Sequence, residues 1–346
     1  MNFFTKIDIS SSGARIDYKS RLAFFGSCFA DNISTQFASR KFCVLSNPFG
    51  TVYNPLSTAM QIKAIANGKI FGEKDVFQDM QGLWYSWDAH GSLSGATREE
   101  CIAKLNAAAH ATRDYLQNVD VVFITLGTAF VYFLKESGIA VSNCHRQNPN
   151  LFIRKMISAD HVAEALKSIV QDLQRIKRDA ILRLQNPPPT QSDLHIVFTV
   201  SPLRHMSDGA HNNTLSKATL QLAIDKLVTG YDRHAEGTLA NPAPYISYFP
   251  SYEIVMDELR DYRFYDSDMI HLSKVAEDYI FERMAETYCD GKTLEDIKQV
   301  EKFLKSANHR IQDVNSPATA AFLQKMHSEA QKLERQIAGL NLNIEM

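Results

Sequence analysis

Residues 22–30 read Leu-Ala-Phe-Phe-Gly-Ser-Cys-Phe-Ala. Four apolar residues stop at Gly26, two small nucleophile-type side chains follow, and a helical pattern begins. A short run that is apolar on every residue suits a strand buried on both faces, as in a parallel sheet. The same punctuation recurs downstream. Val121-Val122-Phe123-Ile124 stops at Thr125-Leu126-Gly127, and His195–Val200 stops at Ser201-Pro202. The longest apolar run, Val119–Val131, is interrupted by polar residues and glycine and reads as a strand with its exit loop. Further strands are expected at Ala243–Phe249 and near Phe42–Leu45.

Helical patterns lie between these runs: Asp31–Ser39, Ser57–Ala66, Thr97–Leu116, Ser158–Leu184, Asn213–Val228 and Ser273–Tyr288. In the fourth, Val162, Leu166, Ile169, Val170, Leu173 and Ile176 form one stripe. Alternating strands and helices predict an α/β fold, a three-layer α/β/α arrangement around a parallel sheet. Residues 1–290 are expected to form this domain. The remainder, 291–346, reads as a helical hairpin (Thr293–Lys305 and Ser316–Leu340) that packs on it or serves a partner. Pro187-Pro188-Pro189 reads as a loop, and aromatic Leu83–Trp87 as a strand or loop near a site mouth, or as core.

The chain has 346 residues, 45% of them hydrophobic, enough for a large core. With 37 basic and 39 acidic residues it lacks the basic footprint of a nucleic-acid binder. No window is long and apolar enough to span a bilayer, and the start shows no secretion pattern. The five cysteines are odd in number and widely spaced, which suits reduced thiols and a cytoplasmic location rather than disulfides or a zinc cage. No nucleic-acid or membrane partner is expected, and the sequence leaves the oligomeric state open.

Two elements carry chemistry. Gly26-Ser27-Cys28 sits where a strand feeds a helix, and helix N-terminal N–H groups there stabilise a thiolate or an oxyanion. Both Ser27 and Cys28 can attack a carbonyl; a plain small-residue turn is the alternative. Asp268 lies three residues before His271 on a loop leading into a helix, where the His can act as general base and the Asp can fix its tautomer. The bland alternative is a satisfied loop histidine beside a Ser273 cap. Arg204, His205, Asp208 and His211 occupy a post-strand loop, with Arg204 free to bind an anion or to pair with Asp208. Asn143, Cys144 and His145 form another polar cluster, without the second ligand pair a zinc site needs.

Taken together, these stretches resemble the GSCFA family. The resemblance rests on Gly26–Ala30, Asn47–Pro55, Thr125–Ala129, Asn143–His145, Ser201–His205 and the Asp268–His271 loop, and covers roughly residues 20–290. That family is similar to the SGNH (GDSL-type) hydrolases, mostly esterases, lipases and carbohydrate acetylesterases of flavodoxin-like fold. The resemblance implies that the nucleophile stands two residues after Gly26, at Cys28, with Ser27 at the preceding acidic position. It implies an oxyanion glycine at Gly50 and a third block at Gly127-Thr128-Ala129, where Ala129 replaces a donating Asn. Thr128, or Asn47, Asn54 or Asn143 from neighbouring loops, would then have to donate. His145, Arg204 and His205 complete the expected substrate-binding set. The implied activity is hydrolysis of a small-molecule or carbohydrate ester through an acyl-enzyme, without metal or cofactor. Acyl transfer by the same residues, or ligand binding without catalysis, are the alternatives.

Overall fold

The computed structural model describes residues 5–9, 13–183, 194–231, 245–308 and 316–343. Five parallel strands form the central sheet: β1 (Arg21–Gly26), β2 (Cys43–Ser46), β5 (Val121–Leu126), β9 (His195–Val200) and β10 (Tyr245–Tyr248), in the order β10-β9-β5-β1-β2. Taken in chain order this is 2-1-3-4-5, the flavodoxin-like doubly wound topology, with its switch point between β1 and β5.

Side-chain alternation along the strands builds two cores. Leu22 and Phe24, with Val121, Phe123 and Val197, face one layer; Ala23 and Phe25, with Val122, Ile124, Ile196 and Phe198, face the other. The second layer is α2 (Pro55–Ala66), α3 (Arg98–Leu116), α4 (Ala159–Leu182) and α5 (Ala210–Gly230). The first is α1 (Cys28–Ser39) and α6 (Lys274–Tyr288), joined by α7 (Gly291–Ala307) and α8 (Pro317–Gln336). Met326, Ile337 and Leu340 near the C-terminus are buried in the same core cluster as Phe24.

Helix starts follow local chemistry. Asn54, Thr97, Ser158, Ser273, Asp290 and Ser316 each accept a backbone N–H at a helix N-terminus. The helix expected from Asp31 begins three residues earlier, at Cys28, because Ser27 takes the extended N-cap conformation directly after the strand. The triple proline, Leu184 and the first two residues of the strand expected at Ala243 lie outside the described residues.

Small antiparallel sheets decorate the carboxyl edge. β3 (Phe77–Gln78) pairs with β4 (Trp84–Tyr85), and β6 (Phe130–Leu134) pairs with β7 (Ala140–Val141) and β8 (Phe152–Met156). After β10 the chain turns through Ser251–Glu253 into a π-helical turn, Ile254–Glu258. Among the described residues no helix is long and apolar enough to cross a membrane.

Candidate active site at the sheet switch point

Gly26 makes the turn from β1 possible. Its φ is +128°, and a Cβ there would lie 2.0 Å from the Thr125 carbonyl oxygen. The turn is fastened from the loop after β2: Asn47 Oδ1 accepts the Gly26 N–H at 2.8 Å, and Val52 N–H donates to Gly26 O at 2.8 Å. Asn47 Nδ2 donates to Asp31 Oδ1, which also accepts from Ser46, while Thr51 donates to Asp31 Oδ2. Asn47 therefore spends its amide holding the loop to α1.

Ser27 and Cys28 differ sharply in access. Ser27 is 1% exposed, and its hydroxyl neither caps α1 nor finds any other partner among the described residues. Cys28 is half-buried at the first position of α1. Burial raises its thiol above the ordinary value and Asp31 adds to the rise, while the N–H groups of Phe29 and Cys28 and the charge of Lys217 pull the other way. The Tyr53 phenol sits beside Cys28 and is pushed up by burial and then by the charge of that thiol. The Tyr53 ring meets His205 edge-on, at 6.5 Å between centroids.

The Asp268–His271 pair is formed. Asp268 Oδ2 lies 2.5 Å from His271 Nδ1, and Asp268 Oδ1 accepts the N–H groups of Ile270 and His271. The hydrogen bond from His271 holds the Asp268 carboxyl down at about 2. Both side chains are exposed, and no hydrogen bond joins His271 to Cys28. Their common edge is fixed by helix packing. Asn32, in the second turn of α1, donates to Glu277, in the first turn of α6, at 2.5 Å, so the N-termini carrying Cys28 and His271 lie side by side.

The oxyanion donors expected on the loops are already used, whereas the Cys28 and Phe29 N–H groups at the α1 N-terminus act on the thiol itself. Gly50 N–H donates to Asn47 O at 2.7 Å, and both Gly127 and Thr128 N–H groups donate to Tyr53 O. The Thr128 hydroxyl meets Ser216 Oγ at 3.0 Å and accepts the Phe130 N–H. Asn54 caps α2 through Ser57, and Asn143 accepts the His145 N–H. His145 packs among Phe77, Tyr85 and Trp87, its Nε2 against Ser86 O at 2.8 Å, and burial lowers its pKa. With His90, Gly91 and Asn148 it lines a separate cleft of about 500 Å³.

Asp208 has a side chain only 1% exposed, and it pairs with Arg154 at 2.5 Å and His205 at 3.3 Å rather than with Arg204. Arg204 makes no ion pair among the described residues, and its guanidinium rests on Met256 Sδ. It lines an apolar cleft of about 330 Å³ with Met206, Val255, Met256 and, from the His271 loop, Met269 and Ile270.

One group escaped the sequence reading. Lys217 on α5 is 1% exposed, and its Nζ donates to Gly127 O and Ser201 O, each at 2.7 Å. Burial pushes its ammonium down to about 7, against the opposing charge of Cys28. Asn213 and Ser216 on the same face hold the His205 and Ala129 N–H groups. The signal was present: Asn213, Ser216 and Lys217 continue the buried stripe of Leu220, Ile224 and Leu227, a polar run on a face that should be apolar.

The sequence model of the GSCFA family matches residues 21–284, which holds every element of this site, and the chain belongs to that family. No curated protein and no solved structure matches it.

Proposed function

We propose that this GSCFA-family protein is an ester hydrolase that works through an acyl-cysteine at Cys28. The observation that carries the reading is the pairing of a half-exposed thiol at the α1 N-terminus with a carboxylate-clamped imidazole on the same sheet edge. Cys28 attacks the ester carbonyl, its S–H proton passes to His271 Nε2, and the imidazolium returns a proton to the departing alkoxide. Asp268 keeps Nδ1 protonated and stabilises the imidazolium. Water then takes the acyl group from sulfur, with His271 again as base. An acceptor hydroxyl in place of water would make the same residues an acyltransferase. Cys28 is preferred to Ser27 because the serine hydroxyl is sealed from solvent. The apolar cleft under Arg204 borders the His271 loop and suits the acyl portion of the substrate.

The commitment of the Gly50, Gly127 and Thr128 donors favours a second reading, a ligand-binding protein that keeps the fold without the chemistry. The two separate on incubation with p-nitrophenyl acetate, acid quench and peptide mass analysis. A single acetyl adduct on Cys28, absent from Cys28→Ala, present in Ser27→Ala and lost in His271→Ala, is expected. Neither adduct nor nitrophenol release from folded protein supports the binding reading. An adduct that survives His271→Ala but not His205→Ala transfers the base role to the His205–Asp208 pair.

A further inference from the structure

The cleft of about 500 Å³ opens between residues 79–91 and the loop 143–148. Its wall is keyed to the loop that fastens the Cys28 turn: His90 N–H donates to Phe49 O at 2.8 Å, and a Cβ on Gly50 would lie 2.2 Å from His90 Cβ. Tyr85 supplies an aromatic face, braced by the His145 ring at 4.6 Å and by its cross-strand partner Phe77 at 6.1 Å. Gly91 sits beside both rings, since a Cβ there would stand 3.8 Å from Tyr85 Cε1 and 4.0 Å from His145 Nδ1. Gln81, Asn143, Gln147 and Asn148 line the same space. Asn143 and Asn148 spend Oδ1 on the N–H groups of His145 and Asn150. Among the described residues their amide nitrogens, and the side-chain amides of Gln81 and Gln147, have no protein partner. His145 and Arg146 are consecutive non-glycine residues at positive φ, 48° and 56°. Such backbone is uncommon and strained, and it collects at ligand sites.

We propose that this cleft binds a neutral carbohydrate, with Tyr85 as the stacking platform and the amides of Gln81, Asn143 and Gln147 as hydroxyl partners. Amide side chains donate and accept in one plane, so each can bridge neighbouring hydroxyls. The C–H face of a sugar ring, weakly positive, packs on the negative face of an aromatic ring. The charges fit a neutral ligand: Arg146 is offset by Asp79 in the same lining, and burial keeps His145 uncharged at neutral pH. A planar base fits less well, because the Tyr85 and His145 rings are only 4.6 Å apart and leave no room for one between them. No bond is made or broken in the cleft, and the inference stands independently of the chemistry at Cys28.

The chain's two tryptophans, Trp84 and Trp87, flank Tyr85, so intrinsic fluorescence reports on this cleft without a label. Trp87 stacks on Phe77 at 3.8 Å and stands 6.0 Å from the His145 ring. The full chain is titrated with cellotetraose, maltotetraose, xylotetraose and chitotetraose, with no ester present, and calorimetry repeats each titration. Saturable binding of at least one of the four is expected. Tyr85→Ala should weaken it by about tenfold or more, the stacking face being lost. Gly91→Leu should abolish it by filling the cleft. Its Cβ meets the two rings at ordinary contact distances and without a positive φ, so the melting temperature should stay near that of wild type. This variant decides the matter even where Tyr85→Ala fails to fold. No saturable binding of any probe overturns the proposal, and so does binding that Gly91→Leu leaves unchanged. Binding of adenosine 5′-monophosphate in place of the sugars overturns it in favour of a nucleotide cleft. Failure of the acyl-enzyme reading looks different: no acetyl adduct forms on Cys28, whatever the sugar titrations show.

Discussion

Replacing Lys217 by Met should remove a pH dependence of stability that the buried ammonium creates. The folded ammonium titrates at about 7, against about 10.4 in an unfolded chain. Because the folded value is lowered, the unfolded state binds more protons between those limits, and stability rises with pH across that window. The destabilisation is fully present below pH 7, on the order of 5 kcal/mol at 1.36 kcal/mol per unit, and is relieved as pH climbs towards 10.4. The side chain is almost completely buried, so solvent screening takes little from that figure. Integrated from pH 6.5 to 8.5, the relief is about 2 kcal/mol. Urea unfolding of wild type and variant at both pH values gives the comparison. The thiols that burial raises, such as Cys101 and Cys289, titrate in both proteins and cancel in the difference. Wild type should gain about 2 kcal/mol more than Lys217→Met over that interval. Equal gains would show that the lysine is not held as a desolvated ammonium.

Three further outcomes follow from the same geometry. Gly26→Ala forces a Cβ against the Thr125 carbonyl at a positive φ, and should cost about 3 kcal/mol or prevent folding, read by thermal melting. Asn47→Ala strands the Gly26 N–H and one arm of Asp31, and should cost about 1–3 kcal/mol, with slower acylation of Cys28 as the turn loosens. Asp268→Asn should lower esterase turnover by about 10²–10⁴-fold while the melting temperature stays near that of wild type, because the pair is exposed. Since the Asp268 carboxyl titrates at about 2, the clamp on His271 should persist as pH falls until that value is reached, so an acid limb of activity above pH 4 belongs to another group.

Local pattern determined the frame. Runs such as Leu22–Phe25 and Val121–Ile124 are apolar at every position because both faces of a parallel strand are covered, and that property is written residue by residue. The Gly26-Ser27-Cys28 turn and the Asp268–His271 pair were legible for the same reason, since each is made by residues a few positions apart. The short strands β6–β8 and the π-helical turn at Ile254–Glu258 were not legible, because they are stabilised by pairing and packing with distant segments rather than by their own periodicity.

Only the tertiary structure decided which donors are available. A glycine N–H reads as free in the sequence, but the fold brings the Tyr53 carbonyl to Gly127 and Thr128 and the Asn47 carbonyl to Gly50. Asp208 likewise finds Arg154 on a separate sheet, which leaves Arg204 without an acid among the described residues. Lys217 holds the carbonyls of Gly127 and Ser201 just past β5 and β9, and α5 brings it there from far along the chain. Hydrogen-bond partners and desolvation depend on what arrives from elsewhere in the chain, so the two candidate side chains at the turn are a local fact and the difference in access between Ser27 and Cys28 is a global one.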